Sequence, residues 1–174
     1  IGVMSLVRST IALADQKGVP YFMAVARVSS GLILFEAGHH ADGRAHLDDG
    51  MSIGSGIDNP VIAWIGGLFG AHMDYAEGNS TASDTKLRNA LALGRDHALS
   101  NFFCWPRAII ADLIDRALEQ GHYLDYLTHL IDVHALARGN VATRSDRWAY
   151  PVRLYTLGAP RITLRDGGDD SLSA

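Results

Sequence analysis

The stretch PYFMAVARVSSGLILFEA, residues 20–37, decides the fold of this 174-residue chain because its apolar residues recur with helical periodicity. One face of the predicted helix carries Phe22, Val25, Ala26, Ser29 and Ile33. Further apolar residues surround the rest of the stretch, which is typical of a helix covered on two sides. Pro20 stands at the expected first turn, where its missing N–H costs nothing. The stretch therefore predicts a helix packed between neighbours.

Small-residue breaks recur along the chain at a nearly constant interval. Pro20 and Pro60 are 40 residues apart, Gly38 and Gly78 are also 40 apart, and Gly121 follows after 43 more. When the sequence is compared with itself at an offset of 40 residues, three helix faces align. They are Val7, Thr10, Ile11 and Ala14; Leu47, Gly50, Met51 and Gly54; and Leu87, Ala90, Leu91 and Gly94. Small residues at the last position predict a close approach of neighbouring helices. Because one amphipathic hairpin cannot bury both of its faces, units of this length predict a stacked helical solenoid, and the alternative is an irregular helical bundle.

The start of the third aligned helix can be placed, and two more helices are predicted beyond it. Ser80 is the expected N-cap of a helix that runs through Leu91. Apolar residues at helical spacing predict a helix over residues 108–119 and another over residues 123–131.

The last part of the chain changes from helical to strand periodicity. The segment YPVRLYTLG, residues 150–158, alternates in the manner of a strand, and RITL, residues 161–164, leads into the turn dipeptide Asp166-Gly167. A lone hairpin is marginal in water, so we expect this one to belong to a domain that the chain does not complete. The chain also opens at Ile1 rather than at methionine, and we expect it to be a piece of a longer protein.

Composition excludes several classes of protein. With 48% hydrophobic and 20% charged residues, the chain is expected to be ordered, and its longest apolar run, residues 61–71, is shorter than the roughly 18 residues that cross a bilayer. Cys104 is the single cysteine, which excludes an internal disulfide and a thiolate-rich metal site. A net charge of −4 argues against this segment binding the phosphate backbone of a nucleic acid by itself. We expect a soluble, cytoplasmic chain with no membrane partner.

Two sets of segments follow one another in an informative order. The first set is ADQKGVPYFMAVAR (14–27), LILFEAG (32–38), GRAHLDDG (43–50), RAIIADLIDRALEQG (107–121) and YLTHLI (126–131), and the second is YPVRLYTLG (150–158) and ITLRDGG (162–168). In this order the chain resembles the large signal-transducing ATPase (maltose-activator-like) transcriptional activators of bacteria. The first set resembles their tetratricopeptide-like superhelix, and the second resembles the opening strands of their winged-helix activator domain. The period near 40 exceeds the 34 of a standard tetratricopeptide unit, and Ala159-Pro160 stands where the family has a basic and an aromatic residue.

The resemblance implies three parts and a role for each. Residues 1–138 would form an all-α, tetratricopeptide-like helical-repeat domain, residues 139–149 a linker, and residues 150–174 a truncated start of the DNA-binding domain with a short β-hairpin. The segment would sense a signal by binding a protein partner or a small-molecule effector. It would not be an enzyme and would hold no metal or cofactor, because ATP would bind upstream. DNA would be bound only by the missing downstream domain, and other domains of the same regulator would be partners.

Candidate functional residues follow from residue type and place. Five aromatic residues are candidates to line a ligand or partner surface, and the alternative, expected for most of them, is a place in the packed core: Tyr21, Trp64, Tyr75, Trp105 and Tyr123. Four arginines form the one basic concentration and are candidates for interdomain or DNA-proximal contacts: Arg138, Arg144, Arg147 and Arg153. The alternative is that these arginines belong to a solvent-exposed linker between two domains. Cys104 is expected to be a packed thiol rather than a nucleophile.

Two other functional classes stay open. One is a free-standing helical-repeat scaffold, which has no reason to end in a hairpin. The other, more remote, is an iron(II)- and 2-oxoglutarate-type dioxygenase that uses His46, Asp48 and His134 as ligands. Its ligand triad needs a β-barrel, whereas the residues between His46 and His134 are predicted to be helical, and His46 and Asp48 would point to different faces of a helix.

Overall fold

The computed structural model describes residues 2–102, 104–136, 148–157, 161–165 and 169–171. Within these ranges, seven helices are followed by three short strands. The helices are α1 (Val3–Lys17), α2 (Pro20–Glu36), α3 (His40–Gly56), α4 (Pro60–Ala76), α5 (Ser80–Asp96), α6 (Arg107–Gln120) and α7 (Leu124–Val133). The strands are β1 (Val152–Tyr155), β2 (Arg161–Leu164) and β3 (Asp169–Ser171). This order confirms the predicted all-α fold with a short C-terminal β segment.

A left-handed residue ends each of the first five helices at an interval of 20. Gly18, Gly38, Asp58, Gly78 and Ala98 have φ of +65°, +85°, +49°, +83° and +51°. After α2 and α4 the chain then closes a bond of the Schellman type, in which the backbone N–H three residues past the last helical residue reaches back to a carbonyl in the last turn. The 40-residue period of the sequence is therefore two helix-and-turn units of 20.

The closest helix pairs are joined by the glycine turns at Gly38 and Gly78. In the pair of α2 and α3, a Cβ added to Gly43 would lie 2.7 Å from the carbonyl oxygen of Gly31, so the two backbones touch. In the pair of α4 and α5, the corresponding Ser83 donates its hydroxyl to the carbonyl of Ala71 at 2.6 Å. The two pairs therefore reach a close approach by different chemistry. The sequence predicted close approach at the last position of the aligned faces, and it is also found there, because an added Cβ would clash with Ile62 at Gly54 and with Trp64 at Gly94.

The start of α5 differs from the sequence prediction. Asn79, rather than Ser80, occupies the N-cap position, and Ser80 is the first residue of the helix. The Gly78 turn ends α4 so tightly that only one residue remains before α5 begins. At the start of α4, Asn59 caps the helix by accepting a bond from the N–H of Ile62, and Pro60 occupies the first turn as predicted.

Helix α4 lies at the centre of the core. Its buried residues lie on every side of the helix, and they include Trp64, Ile65, Leu68, Phe69 and Met73. Helices α6 and α7 extend the same core with Ile110, Ile114, Leu127 and Leu130, each almost fully buried. No helix in the described part of the chain is both long enough and apolar enough to span a membrane.

The strands form one antiparallel sheet in the order β1, β2, β3. Val152 lies opposite Leu164 and Leu154 opposite Ile162, while β3 pairs along the other edge of β2. The first two strands match the predicted hairpin. The third strand was not predicted, because its Asp-Asp-Ser sequence carries no apolar alternation. Most of the predicted linker, residues 139–147, falls outside the described residues.

Candidate functional site

The five aromatic candidates do not gather into one surface. Trp64 is fully buried in the core, so the expectation that it lines a ligand surface is corrected: it is a packing residue. Tyr21 is half-buried and meets Phe22 edge-on, with ring centroids 5.6 Å apart. Tyr75 is exposed, and Trp105 and Tyr123 are half-buried. Among the described ring contacts, only Trp64 and Trp105 pair two of these candidates.

The two tryptophans are part of an aromatic cluster that closes α4 against the last helices. Trp105 lies 5.5 Å from Trp64 and stacks on His134 at 4.4 Å. Tyr126 donates its hydroxyl to the carbonyl of Leu99 at 2.6 Å, and burial raises the pKa of Tyr126 well above its usual range. Cys104 packs half-buried against the same core, as expected for a packed thiol. The cluster therefore stabilises the fold by packing α4 against the last helices.

The remaining two tyrosines each lie under an arginine. The guanidinium of Arg116 lies 3.9 Å above the ring of Tyr75, and that of Arg95 lies 4.5 Å above the ring of Tyr123. Arg116 is buried and also donates to the hydroxyl of Ser83 at 3.0 Å and to the carboxylate of Asp84 at 2.7 Å. It therefore ties α6 to the start of α5. A desolvated cation over an aromatic ring contributes roughly 2 kcal/mol.

Charged residues from neighbouring helices form ion pairs near the end of the stack that contains the Gly38 and Gly78 turns. Asp74 of α4 is buried and pairs with Arg44 of α3 at 2.6 Å and with Lys86 of α5 at 2.7 Å. Arg44 also pairs with Glu77 at 2.7 Å. We call these four residues, together with Glu36 and His72, which pair at 2.8 Å, the charged edge.

Burial and ion pairing shift the pKa values of Asp74 and Arg44 in opposite directions. Burial alone raises the pKa of Asp74, but the hydrogen bonds and charges of Lys86 and Arg44 outweigh it and hold that pKa below its ordinary value. Burial lowers the pKa of Arg44, and the bonds to Glu77 and Asp74 outweigh that effect and raise it. Both groups are thus held in their charged forms. Nearby, burial raises the pKa of Asp112, and the charge of His72 only partly opposes it.

Sequence reasoning missed the charged edge because its partners lie far apart in the chain. Arg44 and Glu77 are 33 positions apart. One signal was available, since Arg44, Asp74 and Lys86 all lie within about two helical turns of the Gly38 or Gly78 breaks. Helices that are antiparallel bring such positions to the same end of a stack. Chemically, the edge holds charges in place and presents the carboxylates of Glu36 and Glu77 at its rim.

A second site lies where the sheet meets the helices. A cavity of about 410 Å³ is lined by residues from α6, α7 and the sheet, among them Leu118, Thr128, Trp148, Arg153 and Thr163. Arg165 donates to both carboxylate oxygens of Asp132 at 2.9 Å and to the carbonyl of Ala149 at 3.0 Å. Arg153 donates to the carbonyl of Trp148 at 3.0 Å. Arg153 is therefore placed at the junction, whereas Arg138, Arg144 and Arg147 lie outside the described residues.

One face of the sheet is apolar and largely uncovered. Val152 and Leu154 lie on the same face of β1, and their cross-strand partners Leu164 and Ile162 lie beside them. Leu154 is 67% exposed, and Val152 and Leu164 are 47% and 44% exposed. A sheet face of this kind is usually packed against another layer of structure.

The histidines of the iron hypothesis do not assemble a metal site. His46 lies in α3, while His134 lies just after α7, where its Nε2 donates to the carbonyl of Ser100 and its ring stacks on Trp105. Over the residues that the structure describes, no group of three or more His, Cys, Asp or Glu side chains is placed to hold a metal ion.

Comparison with known proteins adds no relative. No family model, no curated protein and no solved structure matches this chain.

The contact between the sheet and the helices gives one prediction about which residues hold the sheet against the helices. Replacing Arg165 with alanine removes the bidentate pair with Asp132 and the bond to Ala149. We expect the free energy of unfolding of the helices to change by less than about 1 kcal/mol, because both partners are partly exposed. We expect the amide hydrogens of β1 and β2 to exchange at least several-fold faster, as measured by hydrogen exchange with mass spectrometry. Faster exchange spread evenly over α2–α5 would contradict a local role.

Proposed function

We propose that this chain is the sensor and partner-binding helical-repeat segment of a bacterial transcriptional regulator, joined to the first strands of a winged-helix DNA-binding domain. It acts in the cytoplasm and carries out no catalysis itself. Its resemblance to the signal-transducing ATPase activators supports this role. In such a regulator, ATP binds upstream and the recognition helix lies downstream.

The observation that carries the proposal is the uncovered apolar face of the sheet. A helical-repeat scaffold gains nothing from three strands that leave Val152, Leu154 and Leu164 in water. The first strands of a larger domain would have this face, because the helices of that domain would cover it. The antiparallel order of the strands also agrees with the strand pattern on which the resemblance rests.

The junction between helices and sheet supplies a physical route for a signal. Residues from both sides line the cavity of about 410 Å³, and the pair of Arg165 with Asp132 bridges it. A protein partner on the helices, or a small effector in this cavity, changes the regulator only if it binds two arrangements of the sheet with different affinity. The bridge is the contact whose making or breaking distinguishes such arrangements.

The proposal is tested first on the gene. Sequencing the coding region on both sides of this segment is expected to find a glycine-rich phosphate loop ending in Gly-Lys-Ser or Gly-Lys-Thr upstream, and a helix-rich recognition segment downstream. A reading frame that contains neither would overturn the proposal in favour of the free-standing scaffold. The chain by itself is expected to bind neither ATP nor duplex DNA specifically in a filter-binding assay.

A further inference from the structure

The side of the sheet that faces the helices is polar, which reverses the usual arrangement. Arg153 of β1 and Thr163 of β2 lie opposite each other in the strand register, so their side chains share one face of the sheet. Both residues line the cavity of about 410 Å³, together with Leu118 of α6 and Thr128 of α7. A sheet that packs on helices normally turns its apolar face toward them. Burying arginine and threonine against apolar side chains costs free energy unless they find hydrogen-bond partners, so the two layers leave a cavity between them.

The opposite wall of the cavity is apolar and already buried. Leu118 is 1% exposed and Trp148 is 2% exposed, and both pack into the helical core. A further helix laid over the cavity would find almost no apolar surface left to bury at these two residues. The volume of about 410 Å³ lies within the range of small-molecule sites, roughly 300–1,000 Å³. The occupant that suits this space is a small molecule with an apolar body.

Charge defines the other end of that molecule. Among the described residues that line the cavity, the two charged ones are Arg153 and Arg165. Arg165 is neutralised by its pair with Asp132 at 2.9 Å. Arg153 donates to the carbonyl of Trp148, and a guanidinium has five N–H donors, so it can hold a ligand carboxylate beside its present partners. Cationic groups next to an apolar wall attract anions, and the occupant is therefore expected to carry one negative charge.

The hydroxyl of Thr163 leads to the same ligand class. Its Oγ1 atom is buried and makes no hydrogen bond within the described part of the chain. Buried hydroxyls are satisfied in most proteins, so a buried one without a partner calls for an explanation. Since Thr163 and Arg153 are cross-strand neighbours, a carboxylate held by Arg153 would supply the acceptor that this hydroxyl lacks.

We propose that the cavity binds a small monocarboxylate with an apolar ring. The carboxylate meets Arg153 and Thr163 on the sheet, and the ring packs against Leu118 and Trp148. Such a ligand contacts the sheet and the helices at once, so it favours the arrangement in which the two are docked. The inference deepens the proposed function by naming the class of effector, and the role of the ligand as an effector rests on that function.

The probe is 2-naphthoate, a carboxylate on an apolar double ring, and its uncharged analogue is 2-naphthamide. We expect the whole chain to bind 2-naphthoate with a dissociation constant below about 1 mM, measured by a ligand-observed NMR titration. We expect 2-naphthamide to bind at least tenfold more weakly, because it lacks the charge that Arg153 recognises. No saturable binding up to about 5 mM 2-naphthoate would overturn the proposal, as would equal binding of the acid and the amide.

Replacing Arg153 with glutamine is expected to weaken 2-naphthoate binding at least tenfold and to remove the preference for the acid over the amide. Arg161→Gln is the matched control, because it removes the same charge from an exposed residue of β2 that stacks on Tyr155. We expect the control to bind like the parent chain. Hydrogen exchange of β1 and β2 shows whether each variant keeps the sheet in place. An unchanged affinity in Arg153→Gln would overturn the proposal.

Replacing Thr163 with valine tests the site without removing a charge. We expect 2-naphthoate to bind at least threefold more weakly and 2-naphthamide to bind as before, because the hydroxyl is lost and a side chain of similar size remains. The melting temperature is expected to stay the same or to rise, since the hydroxyl has no partner to lose. This variant decides the outcome if Arg153→Gln releases the sheet, and equal affinity of Thr163→Val and the parent would then overturn the proposal.

The same titration on the protein expressed from the complete reading frame separates a ligand site from a space that another part of the protein fills. We expect 2-naphthoate to bind there as it binds this chain. Binding to this chain that is lost in the longer protein would overturn the proposal and assign the cavity to a segment of the protein itself. A reading frame without the expected upstream and downstream segments would overturn the proposed function and leave the binding result as it stands.

Discussion

Replacing Gly43 with alanine is expected to lower the free energy of unfolding by roughly 2–3 kcal/mol, although alanine favours a helix over glycine by about 1 kcal/mol. Gly43 lies in the interior of α3, where the intrinsic preference alone predicts stabilisation. The new Cβ would lie 2.7 Å from the carbonyl oxygen of Gly31 and 2.8 Å from the backbone nitrogen of Phe35. Both atoms belong to the backbone of α2, so neither moves unless the helices separate.

Separation of α2 and α3 affects more than one contact. Gly50 touches Val28 and the carbonyl of Ala24 along the same crossing, and Leu47 packs there almost fully buried. The cost therefore spreads along the helix pair, as overpacking in a rigid core does. For a chain of this size, we expect the melting temperature to fall by about 5–10 °C, measured by circular dichroism at 222 nm.

Gly56→Ala in the same helix is the matched control. An added Cβ at Gly56 would meet no atom within 4 Å, and the residue is exposed. We expect its stability to stay unchanged or to rise by up to about 1 kcal/mol. Equal effects at Gly43 and Gly56 would show that helix preference, and not the close approach of α2 and α3, decides the outcome.

The sequence predicts the helices of this chain better than it predicts their turns. Proline and glycine predict several of the helix boundaries. Pro20 and Pro60 fix φ at the starts of α2 and α4, and Gly38 and Gly78 adopt a left-handed φ at the breaks that follow these two helices. Asp58 and Ala98 occupy the same left-handed position without being glycine, so the 20-residue interval was hidden and only its double was seen. Aspartate is among the residues that tolerate a left-handed φ, whereas Ala98 adopts one although its side chain disfavours it.

The candidate site was harder to predict than the fold. Trp64 was a candidate to line a surface because tryptophan is common in binding sites, with the core as the alternative. Residues 61–71 are apolar all round, which is the pattern of a buried helix, and Trp64 is fully buried. The pairing of Arg116 with Asp84 joins positions 32 residues apart, and no local pattern reports it. Such contacts depend on which helix ends meet in space. Hydrophobic periodicity predicts which face of a helix is buried, but it does not predict which charged side chains pair at the helix ends.

Replacing Asp74 with asparagine is expected to have an effect of similar size through charge rather than volume. Removing one member of a buried ion pair costs roughly 3–5 kcal/mol, because the charge that stays behind loses its partner. Here Arg44 keeps Glu77, and Lys86 is half exposed, so we expect a loss near the lower end of that range at pH 7. Asp96→Asn is the control, since Asp96 and Arg95 are about half exposed and a solvent-exposed ion pair contributes little to stability.

The dependence of this loss on pH separates charge from packing. The folded chain holds the pKa of Asp74 below the ordinary value of 3.8, so the carboxylate releases its proton more readily when folded than when unfolded. Its stabilisation is therefore complete at pH values well above 3.8 and is lost as the pH falls through the lowered folded pKa. We expect the difference in unfolding free energy between the parent and Asp74→Asn, measured in urea, to stay constant from pH 7 to about pH 5. Below pH 4 it should shrink, because protonation then removes from the parent the same charge that the variant lacks. A difference that stays constant down to pH 2.5 would mean that Asp74 acts through its shape, and that the charged edge is packing rather than a network of charges.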